Sequence, residues 1–458
     1  MAADKKQLHI VLCATTLSAF ITPFMGSSVN VALPIMAKDL SMTALTLSWV
    51  PSSFLLAAAI TLVPLGRLAD IHGRKKFFFC GAIIFTLASF LCCWSPTATF
   101  LILVRIIQGI GGAMIFSTGT AILVSVYPVQ ERGEILGINI AAVYVGLTIG
   151  PFIGGLLTEQ LGWRYIFLFT ALLGLMMILL ILFMAKEERQ EADGERFNFT
   201  GSLLYAIALF AIMYGFSLLP DLQAGGLITF GVICFFFFIR QQLKIPYPLL
   251  NLHLFRDNRV FAFSNLAALI NYCATFAITF LLSLYLQHIK ALTPLQAGMI
   301  LIAEPVVQAS FSPLAGRLSD RFEPGIIASS GMALNVIGLI PLMFIDSATG
   351  ISYIVLCLIV LGLGFALFSS PNVNAAMSAV ENKYYGIASA TLATMRMIGQ
   401  MFSMGITMLV FAVLLGDRPL DQAGGSLLLK STQLIFFILG ILCCAGIFAS
   451  LARGKIHK

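Results

Sequence analysis

Gly66-Arg67-Leu68-Ala69-Asp70 recurs as Gly316-Arg317-Leu318-Ser319-Asp320, each time where a long apolar run gives way to charge. Short Gly/Arg/Asp strings end many membrane helices, because glycine packs tightly and charge must leave the lipid. Recurrence at matching positions says more. It implies two copies of one membrane unit, and paired membrane halves are the usual architecture of secondary transporters, with a binding site between them near the bilayer midplane.

The composition agrees. The 458-residue chain is 59% hydrophobic and 10% charged, with a mean hydropathy of +0.98, whereas soluble domains are roughly half apolar and about a quarter charged. A helical span needs about 20 mainly apolar residues to cross roughly 30 Å of hydrocarbon. Fourteen such runs lie near 8–36, 47–66, 77–94, 98–127, 135–157, 165–185, 199–219, 226–243, 260–287, 295–316, 325–345, 351–371, 386–415 and 430–451. The first is not a cleaved leader, since it far exceeds the roughly 7–15 residues of a signal h-region and runs on into Asn30 and Pro34.

Lys and Arg favour cytoplasmic loops. Of the 27 in the chain, twenty fall on the side shared by the two termini and five on the other (Lys38, Arg164, Lys290, Arg418, Lys430), leaving Arg105 and Arg396 within spans. The expected location is therefore the plasma membrane, with both termini cytoplasmic. The net charge of +7 is accounted for by inner-face anchoring, and no nucleic-acid partner is needed to explain it. The nine cysteines fall in apolar spans without metal-ligand spacing and read as small buried hydrophobes; no metal or cofactor is expected.

The two phrases are 250 residues apart, whereas six spans with short loops occupy roughly 190. The excess, about 60 residues, matches spans seven and eight. The chain thus divides into a six-helix bundle over 1–189, a segment with two inserted spans over 190–259, and a second six-helix bundle over 260–458, with a polar linker at Gln190–Phe197. The fold class is an all-α polytopic membrane protein.

After span two the chain reads Gly66 to Lys76 as a charged loop, in which Gly66 permits close helix approach, Gly73 a tight turn, and Asp70 faces Arg67 and Arg74. Such a contact is suited to latch one bundle against the other. Span five carries Gly146, Gly150, Pro151, Gly154 and Gly155. Glycines four apart share one helix face for backbone packing, and proline bends the helix. In span four, Arg105 and Gln108 precede Gly109, Gly111 and Gly112. A charge inside a span is costly, so Arg105 is either paired within the protein or snorkels to the surface.

These three strings resemble the signature motifs of the major facilitator superfamily. The span-five string is similar to that of its drug:proton antiporters, and fourteen spans resemble the fourteen-helix branch of multidrug exporters. Asn30-Val31-Ala32-Leu33-Pro34, Trp163-Arg164-Tyr165-Ile166-Phe167 and Arg396-Met397-Ile398-Gly399 extend the likeness over nearly the whole chain. The resemblance implies rocker-switch alternating access and proton-coupled efflux of small molecules. One position departs from the pattern: where that branch usually has an Asp in span one, this chain has Met25.

Proton coupling needs a group that changes protonation within the membrane. Glu304 is the one deep carboxylate of the spans, about 12 Å from the start of span ten, with Gln308 one turn later and Pro305 adding a bend. Arg396 is the expected counter-charge in the second half. Asn30, Asn271, Asn372 and Asn374 either face a central cavity or tie helices together, and Phe20, Phe24, Phe276 and Tyr285 either line a lipophilic pocket or face lipid. The leading expectation is a monomeric proton-coupled exporter of drug-like or amphipathic compounds. A dedicated exporter of a lipid, siderophore or other metabolite is the alternative. A membrane enzyme lacks any G-x-x-x-x-G-K-[ST], H-E-x-x-H or G-x-S-x-G string, and a sensor would need a soluble domain. The first Gly-Arg-Leu-x-Asp copy, continuing into Gly73-Arg74-Lys75-Lys76, is expected to be the main latch, and the second, continuing into Arg321-Phe322-Glu323-Pro324, a weaker partner.

Overall fold

The computed structural model describes residues 5–127, 131–184, 197–245, 248–250, 252–381, 385–416 and 424–454. The expected linker at 190–196, and Lys186, Arg189, Arg196, Lys383, Arg418, Lys455 and Lys458, lie outside them. The helices are α1 Lys5–Asp39, α2 Ala44–His72, α3 Arg74–Cys93, α4 Ala98–Val126, α5 Arg132–Gln160, α6 Arg164–Leu182, α7 Phe199–Ser217, α8 Leu222–Gln242 and the short α9 His253–Asp257. Then follow α10 Arg259–Thr275, α11 Ala277–Leu284, α12 Pro294–Leu301, α13 Ala303–Arg321, α14 Pro324–Leu342, α15 Ile351–Ser378, α16 Tyr385–Leu414 and α17 Gly425–Leu451. A π-turn, Tyr285–Ile289, extends α11. With α10 and α11 joined as one span, and α12 and α13 as another, fourteen helical segments among the described residues are long and apolar enough to cross a membrane. Each coincides with one of the apolar runs, and the described residues contain no β-sheet.

Local chemistry sets several ends. Thr43 and Thr97 accept the Thr46 and Phe100 amides at 3.1 and 3.2 Å to open α2 and α4, and Thr293 with Gln296 forms a capping box on α12. The stretch Gly66–His72, expected as loop, is helical: nothing between Gly66 and Gly73 breaks the helix, so α2 runs on to His72. The turn is confined to Gly73, whose φ of 110° suits glycine. The second copy likewise sits inside α13.

α1 to α6 pack as one bundle, with α1 on α5 and α4 on α2 and α3; α10 to α17 form the other, with α15 on α13 and α14 and α10 on α16 and α17. The repeated phrase has repeated surroundings. A Cβ on Gly66 would meet Ser117 of α4 at 3.3 Å, and one on Gly316 would meet Ser370 of α15 at 3.1 Å. Small residues therefore hold the same helix pair close in each bundle. Between the bundles, α2 meets α16 on one side, α5 meets α12 and α13 on the other, and α1 meets α11. α7 pairs with α8 and also touches α2 and α16. Large apolar side chains such as Phe183, Phe199 and Leu222 stand on the perimeter, the place for them when the solvent is lipid.

Candidate transport pathway between the bundles

An even number of spans puts both termini at one end of the molecule, the terminal face; the other is the far face. The glycine ladder joins α5 to its neighbours on two sides. Cβ atoms on Gly146, Gly150 and Gly154 would lie 2.6, 2.9 and 2.7 Å from backbone atoms of Phe20, Phe24 and Ser28 in α1. Ser28 Oγ fixes the contact by donating to the Gly150 carbonyl at 2.8 Å. Gly155 turns to the other bundle, where its Cβ would lie 2.6 Å from the Pro294 carbonyl oxygen, and Gly298 of α12 abuts the Pro151 carbonyl in return. Leu295 N–H donates to Glu159 Oε2 at 3.1 Å and Gln287 Nε2 to the Val31 carbonyl at 2.8 Å. The far face is thus closed, bundle against bundle.

Arg105 is 2% exposed and does not snorkel. Its Nε donates to the Val50 carbonyl at 3.0 Å and its Nη1 to Gln108 Oε1 at 2.7 Å; Gln108 Nε2 passes the bond on to Ser89 Oγ at 2.7 Å. The guanidinium lies 4.6 Å from the Phe54 ring centroid. Its remaining contact is Met25 Sδ, 3.1 Å from Nη1. The position that departs from the family pattern is therefore the one beside the buried arginine, and no carboxylate contacts it among the described residues. Thioether sulfur is a weak acceptor and carries no charge, so the cation stays uncompensated.

Span ten breaks at Ile302. Pro305 has no N–H for the Leu301 carbonyl, so the ladder parts between α12 and α13. Glu304 sits at this bend, half-buried, with no hydrogen bond or ion pair among the described residues. A Cβ on Gly362 would lie 2.5 Å from the Glu304 carbonyl oxygen, so the bend is pressed against α15. Gln308, one turn on, is buried.

Arg396 projects from α16 to the seam between the bundles. Its guanidinium carbon is 5.1 Å from the Phe116 ring of α4 and 5.9 Å from the Tyr272 ring of α10. Nearby, Ser312 of α13 donates to the Tyr144 hydroxyl of α5 at 3.2 Å, and Tyr144 lies within electrostatic range of Arg396. Phe116, Tyr144 and Tyr272 escaped the sequence reading, because an aromatic ring in an apolar run gives no sign of which cation it faces.

The other expected residues are distributed over both bundles. Asn335 Nδ2 donates to Asn271 Oδ1 at 3.0 Å inside the second bundle, and Asn374 Nδ2 ties α15 to Ser319 Oγ at 2.9 Å and Asp320 at 3.3 Å. Asn30 is buried in α1. Phe20 and Phe24 stack at 5.4 Å, whereas Phe276 interrupts span nine, where Ala277 N–H donates to Ser403 Oγ of α16 at 3.0 Å. Asp70 pairs with Arg74 at 2.7 Å and Asp320 with Asn374, each within its own bundle.

A search among known proteins matches the chain to the family described as Major Facilitator Superfamily over residues 15–404 and, separately, 264–456. It is 30% identical to the riboflavin transporter RibZ of Clostridioides difficile (strain 630), covering 85% of each chain. It is 30% identical to the methylenomycin A resistance protein of Bacillus subtilis (strain 168), over 83% of this chain and 82% of that one. Identity to the multidrug resistance protein Stp of Mycobacterium tuberculosis (strain H37Rv) is 29%, over 85% and 73%. Among solved structures, a bacterial homologue of the human lysosomal transporter Spinster superposes with a TM-score of 0.72 over 98% of both chains at 16% identity, a likeness of fold alone.

Proposed function

Because this chain belongs to the major facilitator superfamily, we propose that it exports drug-like or amphipathic compounds across the plasma membrane in exchange for protons, with both termini in the cytoplasm. Transport of small molecules through a multi-pass membrane protein, rather than catalysis, is the common ground of that family. The finer reading rests on one observation: Glu304 is a carboxyl at bilayer depth, on a bend, with no partner among the described residues. A bare carboxylate there is costly, so it must be relieved by a proton or by a solute.

The contacts between the bundles support that reading. With the far face closed by the Gly155–Pro294 and Gly298–Pro151 contacts, the carrier is set to load from the terminal, cytoplasmic side while Glu304 gives up its proton. Rocking the bundles about the seams where α2 meets α16 and α5 meets α13 then opens the far face, where Glu304 is reprotonated and the solute leaves. Asp70 and Asp320 bond within their own bundles when the far face is closed, and would be released to latch the terminal face in the opposite state. Met25 beside Arg105 favours a second reading, a dedicated exporter of one class of metabolite, since the acid expected for cationic drugs is missing there. The test is Glu304→Gln in proteoliposomes under an imposed pH gradient. Gradient-driven efflux should vanish while solute–solute exchange persists; undiminished gradient-driven efflux would remove Glu304 from the coupling.

A further inference from the structure

Arg396 is the guanidinium placed where both bundles meet, and its surroundings are unusual for a cation at that depth. It lies about 16 Å along α16 from Tyr385, level with Phe116, Tyr144 and Tyr272, which lie about 15–20 Å from the terminal-face ends of their helices. Two aromatic rings approach its guanidinium. Among the described residues no carboxylate, carbonyl or hydroxyl accepts a hydrogen bond from it. A guanidinium has five N–H donors, and ring faces attract the charge without satisfying those donors. The stretch of α16 that carries it is packed closely against α10. Gly399, one turn on, lets α16 lie against the Tyr272–Cys273 backbone, with its Cβ position 3.1 Å from Tyr272 Cβ and from the Cys273 nitrogen. Ser403 accepts the Ala277 amide one turn further. The donors therefore have no protein acceptor among the described residues and lie beside rings from both bundles.

The first bundle adds to this. Arg105 is buried with only neutral partners, and Met25 fills the place where an acid would cancel it. Against these two cations the mid-depth part of the described structure sets one carboxyl, Glu304. Whether or not Glu304 carries a proton, the balance of these three groups is positive.

We propose that Arg396, Phe116, Tyr144 and Tyr272 form a subsite for the anionic end of a flat aromatic solute. The anion takes the free guanidinium edge, bidentate where it is a carboxylate, and the aromatic body stacks on Phe116 and Tyr272. Phe116 belongs to one bundle and Tyr272 and Arg396 to the other, so occupancy ties the bundles together at the point about which they rock. This rests on the reading of the inter-bundle seam as the transport path, and not on proton coupling.

The test pairs probes of similar shape and opposite charge: fluorescein and 2-naphthoate against rhodamine 123 and N-methylquinolinium. Equilibrium binding to the purified full-length carrier should favour the anions by tenfold or more. Arg396→Gln should weaken anion binding at least tenfold and leave the cations unchanged, while Arg396→Lys keeps the preference at reduced affinity; all variants should elute and melt like the parent. A failure of proton coupling shows separately, as gradient-driven transport absent from a parent protein whose equilibrium anion binding is intact. Equal or tighter binding of the cations, no saturable binding of either anion, or unchanged anion affinity in a folded Arg396→Gln protein overturns the proposal.

Discussion

Replacing Gly155 by alanine tests whether the far-face closure is a contact of backbone on backbone. The added Cβ would sit 2.6 Å from the Pro294 carbonyl oxygen and 2.9 Å from Leu295 Cα. Neither atom belongs to a flexible side chain. Recovering an ordinary 3.4 Å contact requires α5 and α12 to part by about 0.8 Å, and overpacking of this kind costs about 1–3 kcal/mol. The helix-propensity gain of alanine over glycine applies whichever face is open, so it drops out of the ratio between states. The closed far face should therefore lose about 5- to 150-fold in relative population. Leu292→Cys lines the cleft between α1 and the Gln287–Pro294 turn, and its labelling by an impermeant maleimide on intact cells reads that population. The rate should rise by at least several-fold over the parent background. Gly137→Ala, on the same helix with nothing within 4 Å of its Cβ, should leave it unchanged. If both variants label alike, the closure does not depend on Gly155 and the argument from its contacts is wrong.

Ser28→Ala removes the bond to the Gly150 carbonyl and should lower stability by about 0.6 kcal/mol, and by no more than about 1.7, read as a small fall in melting temperature in detergent; a loss above about 3 kcal/mol would mean that the hydroxyl does more than tie α1 to α5. Met25→Asp places a carboxylate beside Arg105 and cancels its charge, so efflux of rhodamine 123 should rise relative to fluorescein; an unchanged ratio would show that Arg105 is not felt by the solute. The turn at Asp346 should respond to acid. Its carboxyl is held below the usual range by the Thr349 hydroxyl and by the Thr349 and Ala348 amides, with Lys290 nearby. A lowered carboxylate value means the turn is fully braced above about pH 4 and loosens as pH falls further through the folded value. Amide exchange at Thr349, corrected for its intrinsic pH dependence, should lose protection in that acid range and not above pH 5.

The spans were legible because hydropathy is a local property: lipid asks the same thing of each run of about 20 residues wherever it lies. The glycine ladder was legible for a related reason, since its period alone defines a face. What the sequence could not supply is the identity of partners brought together by packing. Arg105 announces itself as a buried charge, but that it would settle on a sulfur eighty positions earlier depends on how α1 crosses α4. The bend at Ile302 follows from Pro305. The interruption at Phe276 has no local cause, because it arises where Ser403 of a distant helix takes the Ala277 amide. The boundary error at Gly66–His72 has a simple origin: hydropathy marks where lipid ends, and a helix can continue past that point into water.

The inserted pair has a consequence for how a solute arrives. α7 lies against both α2 and α16 and carries α8 on its back, so that seam is screened from the hydrocarbon. The opposite seam, where α5 meets α12 and α13, has no such cover among the described residues, and the two spans that build it are only 28% and 22% buried over their most apolar stretches. A molecule dissolved in the bilayer therefore has one open flank by which to drift toward the path, and the carrier is one-handed toward its own membrane.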